Sequence, residues 1–488
     1  MPFSIAIIPC IVSWTSSNSL AEESATGEEK ENAVPRPKDL QEDLRAVVRW
    51  DENGVEFSDL ETFRGQPLDR LVYNAVFHTD PKVKEAARWF IWSASLACNT
   101  LPASIDGLYL AAGKGKYQKR TVPAMNIRGL TYLSAQAAFR AARQHQVAAL
   151  IFEIARSEVG YTEQRPAEYA ACVLAAALKV DFQGPVFLQG DHFQVNAKKY
   201  TDNPDKEFGA VRDLTAEAIR GGFFNIDIDT STLVNISLPT VREQQALNSR
   251  LSAEMTRYIR TLEPKGLSIS IGGEIGEVGK KNSTVEELRA YMDQYVDALG
   301  QGQRGISKIS VQTGTTHGGV PLPDGRVAEV KLDFQTLEEL SRVARKEYGL
   351  AGAVQHGAST LPDEAFHRFP EVETAEVHLA TGFQNLVLEH EAFPEDLRRS
   401  IYQYLKERHR EEWKKDQTEE QFLYQTRKKA FGPFKKQMWE LPTGELDRIS
   451  HALEQKFAFL FQKLNVTQTL ELVREHVKTV KVPRARPF

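Results

Sequence analysis

Apolar and polar residues change rhythm twice along this chain. Between about residues 104 and 392, short apolar runs alternate with longer stretches whose apolar positions recur every three or four residues. The short runs predict strands at 121–125, 148–154, 185–189, 222–228, 267–272, 306–312, 351–355 and 375–380. The longer stretches predict helices at 131–145, 165–179, 208–220, 239–262, 284–300, 335–348 and 362–369. Eight strands with helices between them favour a closed parallel barrel over an open sheet, so the expected fold is an α/β TIM (β/α)8 barrel. The flanking rhythm is different. Residues 43–103 read as a helical extension, in which Asp80-Pro81 opens a helix and Val83, Ala86, Ala87, Phe90 and Ile91 form its apolar stripe. Residues 393–488 read as a second helical extension, with long charged helices at Pro394–Trp413 and Gly444–Leu464. Residues 1–42 are expected to form a disordered leader, rich in Ser, Glu, Lys and Pro beyond residue 16. The barrel is thus placed at 104–392.

Composition narrows the function classes. The chain has 488 residues, 41% hydrophobic and 26% charged, with a net charge of -5, which gives no footprint for nucleic acid. A basic tail with Arg474, Lys478, Lys481, Arg484 and Arg486 reads as a solvated end. Cys10, Cys98 and Cys172 share no metal-like spacing, which fits a reducing compartment. No run approaches the ~20 apolar residues of a membrane span. Ser4–Trp14 is apolar but lacks preceding basic residues and a small-x-small cleavage site, so the expected location is the cytoplasm.

In such a barrel the chemistry gathers at the C-terminal ends of the strands. Polar residues expected there are Asn126, Ser157, Asp191, His192, Asp229, Ser231, Glu274, His317, His356, Ser359 and Thr381. One histidine after a strand is usually structural. Here His192, His317 and His356 each follow a strand-like run, and three imidazoles with one open position are what a catalytic zinc needs. Asp191 adds an acid or base beside the first of them. The turns Gly314–Gly319 and His356–Ser359 are rich in glycine, which suits either an anion nest or a plain tight turn. Glu274 either orients a histidine or is solvated. His378 lies inside the last predicted strand, whereas His367, His390, His409, His451 and His476 read as surface residues.

Several of these segments, in order, resemble the class II, metal-dependent ketose-bisphosphate aldolases, a family that includes fructose- and tagatose-bisphosphate aldolases. They are Thr121-Val-Pro-Ala-Met-Asn126, Gly190-Asp-His192, Asp227-Ile-Asp-Thr-Ser231, Gly273-Glu-Ile-Gly276, Gly314-Thr-Thr-His-Gly318 with Leu332-Asp-Phe334, and His356-Gly-Ala-Ser359. The resemblance implies that His192, His317 and His356 hold Zn2+ or another divalent metal. It implies that Asp191 moves a proton to and from the oxygen of the aldehyde half. Gly318, Gly357, Ser359 and Thr381 would hold the ketone's phosphate, with His378 beside it. Asn126, Ser157, Asp229 and Ser231 would line the substrate side. The implied activity is cleavage or formation of a C–C bond in a phosphorylated ketose, fructose-1,6-bisphosphate-like, through a metal-stabilised enediolate. The implied assembly is a homodimer or homotetramer, with no nucleic-acid or membrane partner. Three departures stand out. Gln189 replaces a histidine; His378-Leu-Ala-Thr381 replaces an Asn-x-x-Thr; and the loop after the fifth strand reads Gly279-Lys-Lys-Asn-Ser283 where the family carries a proton-abstracting carboxylate. Glu277, Glu286 or Glu287 are the candidates to replace that carboxylate. Two other readings remain open: a non-catalytic scaffold of the same fold, and a metal-dependent sugar isomerase.

Overall fold

In the computed structural model all eight predicted barrel strands are present and form a closed ring. The structure describes residues 44–52, 54–276, 281–314, 322 and 332–487. The expected leader lies outside these residues. So do His317 and Gly318, Glu277, and part of the loop after the fifth barrel strand.

Three short strands precede the ring: β1 (Val48–Asp51), β2 (Gly54–Phe57) and β3 (Pro102–Ala103). The ring is β4 (Val122–Asn126), β5 (Ile151–Ala155), β6 (Val186–Gln194), β7 (Asn225–Asp229), β8 (Ser270–Glu274), β9 (Lys308–Val311), β10 (Ala353–Gln355) and β11 (Glu376–Leu379). Neighbours pair in parallel, β4 with β11 and β6 with β7 completing the closure. β3 pairs with the start of β6, at Pro102↔Val186. The seam there is closed by Asn225, whose amide bonds the backbone of Ala103, Ile105 and Leu188 as a peptide would. The strands carry no amphipathic alternation because both their faces are buried, which is why they read as continuous apolar runs.

Helices cover the outside. Pro166–Lys179 is buried along almost its whole length because the N-terminal helices Gln66–Phe77 and Pro81–Ala97 pack over it. Asp80 caps the second of these on Lys82 N, with Pro81 at the first helical position. Residues 43–103 are not wholly helical, since β1 and β2 form an antiparallel hairpin there. In the C-terminal region, Thr443–Lys463 packs against Thr131–Gln144. The basic tail is not simply a solvated end. It runs back over the N-terminal helices, where the indoles of Trp92 and Trp89 donate to the carbonyls of Val482 and Arg484. The Arg484 guanidinium lies 3.3 Å from the centre of the Trp92 ring. Burial lowers its pKa to about 9. Among the described residues, no helix is long and apolar enough to cross a membrane.

Candidate active site

The site starts at an irregularity in β6. The register with β7 shifts between Gly190 and Phe193. His192, inside that bulge, takes a left-handed backbone with φ +41. Such a conformation in a non-glycine residue costs on the order of 1–3 kcal/mol. It turns the imidazole onto the C-terminal rim. There Nδ1 lies 3.0 Å from Asp229 Oδ2 and 3.1 Å from Glu274 Oε2. Asp229 is itself fixed by Gln194 and by the backbone and hydroxyl of Ser231, at 3.1 and 2.7 Å. Ser231 thus fixes Asp229, and Asp229 in turn orients His192. Glu274 takes the orienting position that the sequence left open. Two carboxylates at one ring N–H settle the tautomer and direct Nε2 away from them. Burial opposes ionisation of Asp229, but the hydrogen bond from His192 prevails and lowers its pKa. Glu274 moves the other way, raised by burial and by the charge of Asp229.

Three imidazoles form a run across the rim. The rings of His192 and His356 have centroids 4.1 Å apart, and those of His356 and His378 are 4.0 Å apart and stacked. His356 Nε2 lies 3.1 Å from Ser310 Oγ on β9. Asp191 sits beneath this run, 4% exposed. Its Oδ2 accepts from the Asn126 amide at 3.0 Å. Its Oδ1 lies 3.3 Å from His378 Nδ1 and 3.8 Å from His192 Nε2, with no hydrogen bond among the described residues. Burial pushes the Asp191 pKa up, yet the positive charges of His192 and His378 outweigh it and hold the carboxyl well below the usual range.

His378 does not reach a phosphate loop. On β11 it points into the barrel, where Nδ1 meets Glu153 at 2.9 Å and Nε2 meets Glu376 at 2.7 Å. Both nitrogens thus face buried carboxylates at ion-pair distance. Below it lies a layer of charge where such barrels ordinarily stack branched aliphatics. Lys308 Nζ contacts Gln189 at 2.8 Å, Asp227 at 3.0 Å and Glu376 at 2.5 Å. Gln189 also donates to Glu153 and Glu376, at 2.8 and 2.7 Å. Gln189 thus joins three charged residues into one network. Glu153, Asp227, Lys308 and Glu376 escaped the sequence reading. Their signal was one charge within each apolar run, as in Ile151-Phe-Glu-Ile154 and Ile226-Asp-Ile228.

The remaining predicted residues separate into two groups. Asn126 is buried and bridges Asp191 to Glu158, whose Oε2 it reaches at 2.8 Å. Ser157 is exposed, while its neighbour Glu158 turns inward. Gly357 has φ +70 and starts a single turn. Ser359 Oγ accepts from Ala380 N at 2.6 Å, joining the loops after β10 and β11, and buried Thr381 opens the helix Thr381–Glu389. Of the candidate proton-abstracting carboxylates, Glu287 is occupied in a capping box with Thr284, and Glu286 is exposed on the same first turn.

A divalent cation fits this donor set. Asp191, His192 and His356 each present a ligand atom within 4.8 Å of the others, and the buried Asp191 Oδ1 has no hydrogen-bond donor of its own. Two further groups, His192 with Asp229 and Glu274, and Glu153 with Asp191, Asp227 and His378, are equally compact.

Comparison with known proteins agrees with this picture. No curated protein matches the sequence. A fructuronate-tagaturonate epimerase from Cohnella laeviribosi is similar in structure, with TM-score 0.54 and 12% identity, covering 88% of this chain and 90% of that one. The YdjI aldolase from Escherichia coli K12 gives TM-score 0.44 at 13% identity, over 75% of this chain and 99% of its own. A fructose-bisphosphate aldolase from Campylobacter jejuni gives 0.44 at 16%, over 76% and 98%. At such identities these likenesses speak to the fold. The family model "Fructose-bisphosphate aldolase class-II" matches residues 107–438, which take in every barrel strand and the rim residues just described. The chain is a member of the class II fructose-bisphosphate aldolase family.

Proposed function

We propose that the protein is a zinc-dependent aldolase that cleaves or forms a C–C bond in a ketose bearing a phosphate. The observation that carries this reading is Asp191 Oδ1, a buried carboxylate oxygen without a hydrogen bond, facing the imidazoles of His192 and His378 at the rim. His192 and His356, with His317 from the sequence, would hold the metal. When bound, it would polarise the ketone carbonyl and stabilise the negative charge left there by scission. The chain's own groups account for the rest. With His192 neutral as a ligand, the positive charge beside Asp191 would come from His378 at 3.3 Å and from the metal itself, and would keep the carboxyl ionised, so in the cleavage direction it acts as a base. It takes the proton of the hydroxyl on the carbon that becomes the aldehyde. The electrons of the breaking C–C bond move to the ketone half. Condensation runs the same transfer in reverse, with Asp191 returning the proton. Asn126 holds the other carboxylate oxygen, so that Oδ1 keeps one orientation.

A second reading is favoured by one observation. The structural likeness to a fructuronate-tagaturonate epimerase covers 88% of this chain. An epimerase of a keto sugar acid uses the same bond chemistry when the aldehyde half rotates before the bond reforms. Product analysis separates the two: an aldolase releases a free aldehyde, and an epimerase releases none.

Elemental analysis tests the metal. About one divalent ion per chain is expected in the wild type and loss of most of it in His356→Ala. Equal metal in both would overturn the ligand assignment.

A further inference from the structure

After β7 the chain runs outward before it enters the helix Val241–Thr261. The turn Leu233–Leu238 carries four aliphatic side chains in six residues. Leu233 and Val234, with Leu247, form one wall of a cleft of about 390 Å³. Ala197, Tyr200 and Pro204, which follow β6, form the other. Ile236 and Leu238 point away from this wall into water, 57% and 38% exposed. The other exposed large hydrophobics among the described residues, Leu110 and Val296, stand singly on separate helices. Two in one turn, beside a largely apolar cleft, mark a contact surface. The turn is already fixed. Asn235 N donates to Gln244 O at 3.2 Å, Gln244 Nε2 donates to Leu238 O at 2.8 Å, and the Ser237 hydroxyl donates to Asn235 Oδ1 at 2.7 Å. A protrusion held in shape before contact loses little conformational entropy on contact.

We propose that this face is a contact between two copies of the chain, in which Ile236 and Leu238 of each copy seat in the cleft of the other. Protrusion and hollow lie side by side and share one segment. A second copy matches both by construction, because a two-fold rotation sets each turn against the opposite cleft and makes the contact twice. The charges on the far wall agree. Exposed Lys198, Lys199, Asp202, Asp205 and Lys206 mix both signs within nine residues. A partner of one sign would meet repulsion there, whereas a two-fold rotation sets lysines of one copy against aspartates of the other. The segment starts at Ser231, the residue that fixes Asp229, so the contact lies beside the rim. It holds whichever reaction the barrel runs.

Sedimentation velocity of the full-length protein, from low to tens of micromolar, tests the contact. The wild type should associate. Ile236→Asp changes a side chain that already faces water, so it should keep the circular dichroism of the wild type. It should raise the dissociation constant about 100-fold or more, because the change enters a two-fold contact twice. Ala197→Trp fills the cleft, leaves the turn intact and should weaken association in the same way. Hydrogen exchange of the wild type gives a reading that needs no variant to fold. Amides at 233–240 should exchange more slowly above the measured dissociation constant than below it. A monomeric wild type overturns the proposal. So does wild-type association in either variant, or exchange at 233–240 that ignores concentration.

Discussion

Asp191 illustrates how one side chain is prepared for proton transfer. Asn126 fixes one oxygen, imidazoles surround the other, and the left-handed turn at His192 places the nearest of them. Replacing it by asparagine preserves shape and removes the base. Asp191→Asn is expected to keep the fold and lower kcat by about 10²- to 10⁴-fold. Turnover equal to wild type would remove Asp191 from the mechanism. Asp229 tests the neighbouring step. Asp229→Asn should weaken metal affinity by about 10- to 100-fold through misorientation of His192, without touching substrate; a metal titration decides it. His192, His356 and Asp191 were legible in the sequence because each closes an apolar run, and the end of a run marks the end of a strand. Ser157 was not, because a shift of one residue at the start of a helix exchanges an inward side chain for an outward one, and Glu158 took the inward place. His378 was misassigned for a related reason. Its position within a strand is evident, but which face it presents is not when both faces are buried.

The strands show the same limit more widely. All eight were legible from their apolar runs, yet the charges inside the barrel were not, since Glu153, Asp227, Lys308 and Glu376 sit one per strand among apolar neighbours. Parallel pairing assembles them. Glu153 stands beside Gln189, and Gly272 beside Lys308, where any Cβ would collide with the Asp227 carboxylate. Lys308 is the cation that makes this layer tolerable. Lys308→Met should cost about 3–5 kcal/mol by leaving Asp227 and Glu376 buried without it, and Lys308→Met with Glu376→Gln should recover part of that loss. Denaturant titration of both variants checks the sign; a double variant less stable than the single one would contradict the pairing. The layer also sets an acid limit. Burial raises the Glu376 pKa, but Lys308 and His378 more than offset it and hold it below the ordinary 4.5. A carboxylate depressed in the folded state contributes stability that is fully present above pH 4.5 and is lost as the pH falls through the folded value. Acid unfolding of Glu376→Gln should therefore be less steep below pH 4.5 than that of the wild type.

Beyond the barrel, the flanking regions behave as parts of the same body. The tail reaches the N-terminal helices through Trp89, Trp92 and Arg484, while Arg427–Trp439 covers one side of the barrel mouth. Periodicity predicted the helices of these regions but not their seats, because an apolar stripe shows that a helix packs and not what it packs on. The seat at the mouth depends on Gly129. Its φ is +72, a left-handed value, and a Cβ there would run into the Phe431 ring. Gly129→Ala therefore combines backbone strain with a clash at the joint between the barrel and the covering segment, a cost of about 1–3 kcal/mol. The barrel's hydrogen-bonded ring does not pass through this joint, so the loss should be local. Hydrogen exchange is expected to quicken at 427–439 and to stay unchanged in β5, β6 and β7. Faster exchange in the barrel strands as well would show that the segment and the ring open together and would contradict a local joint.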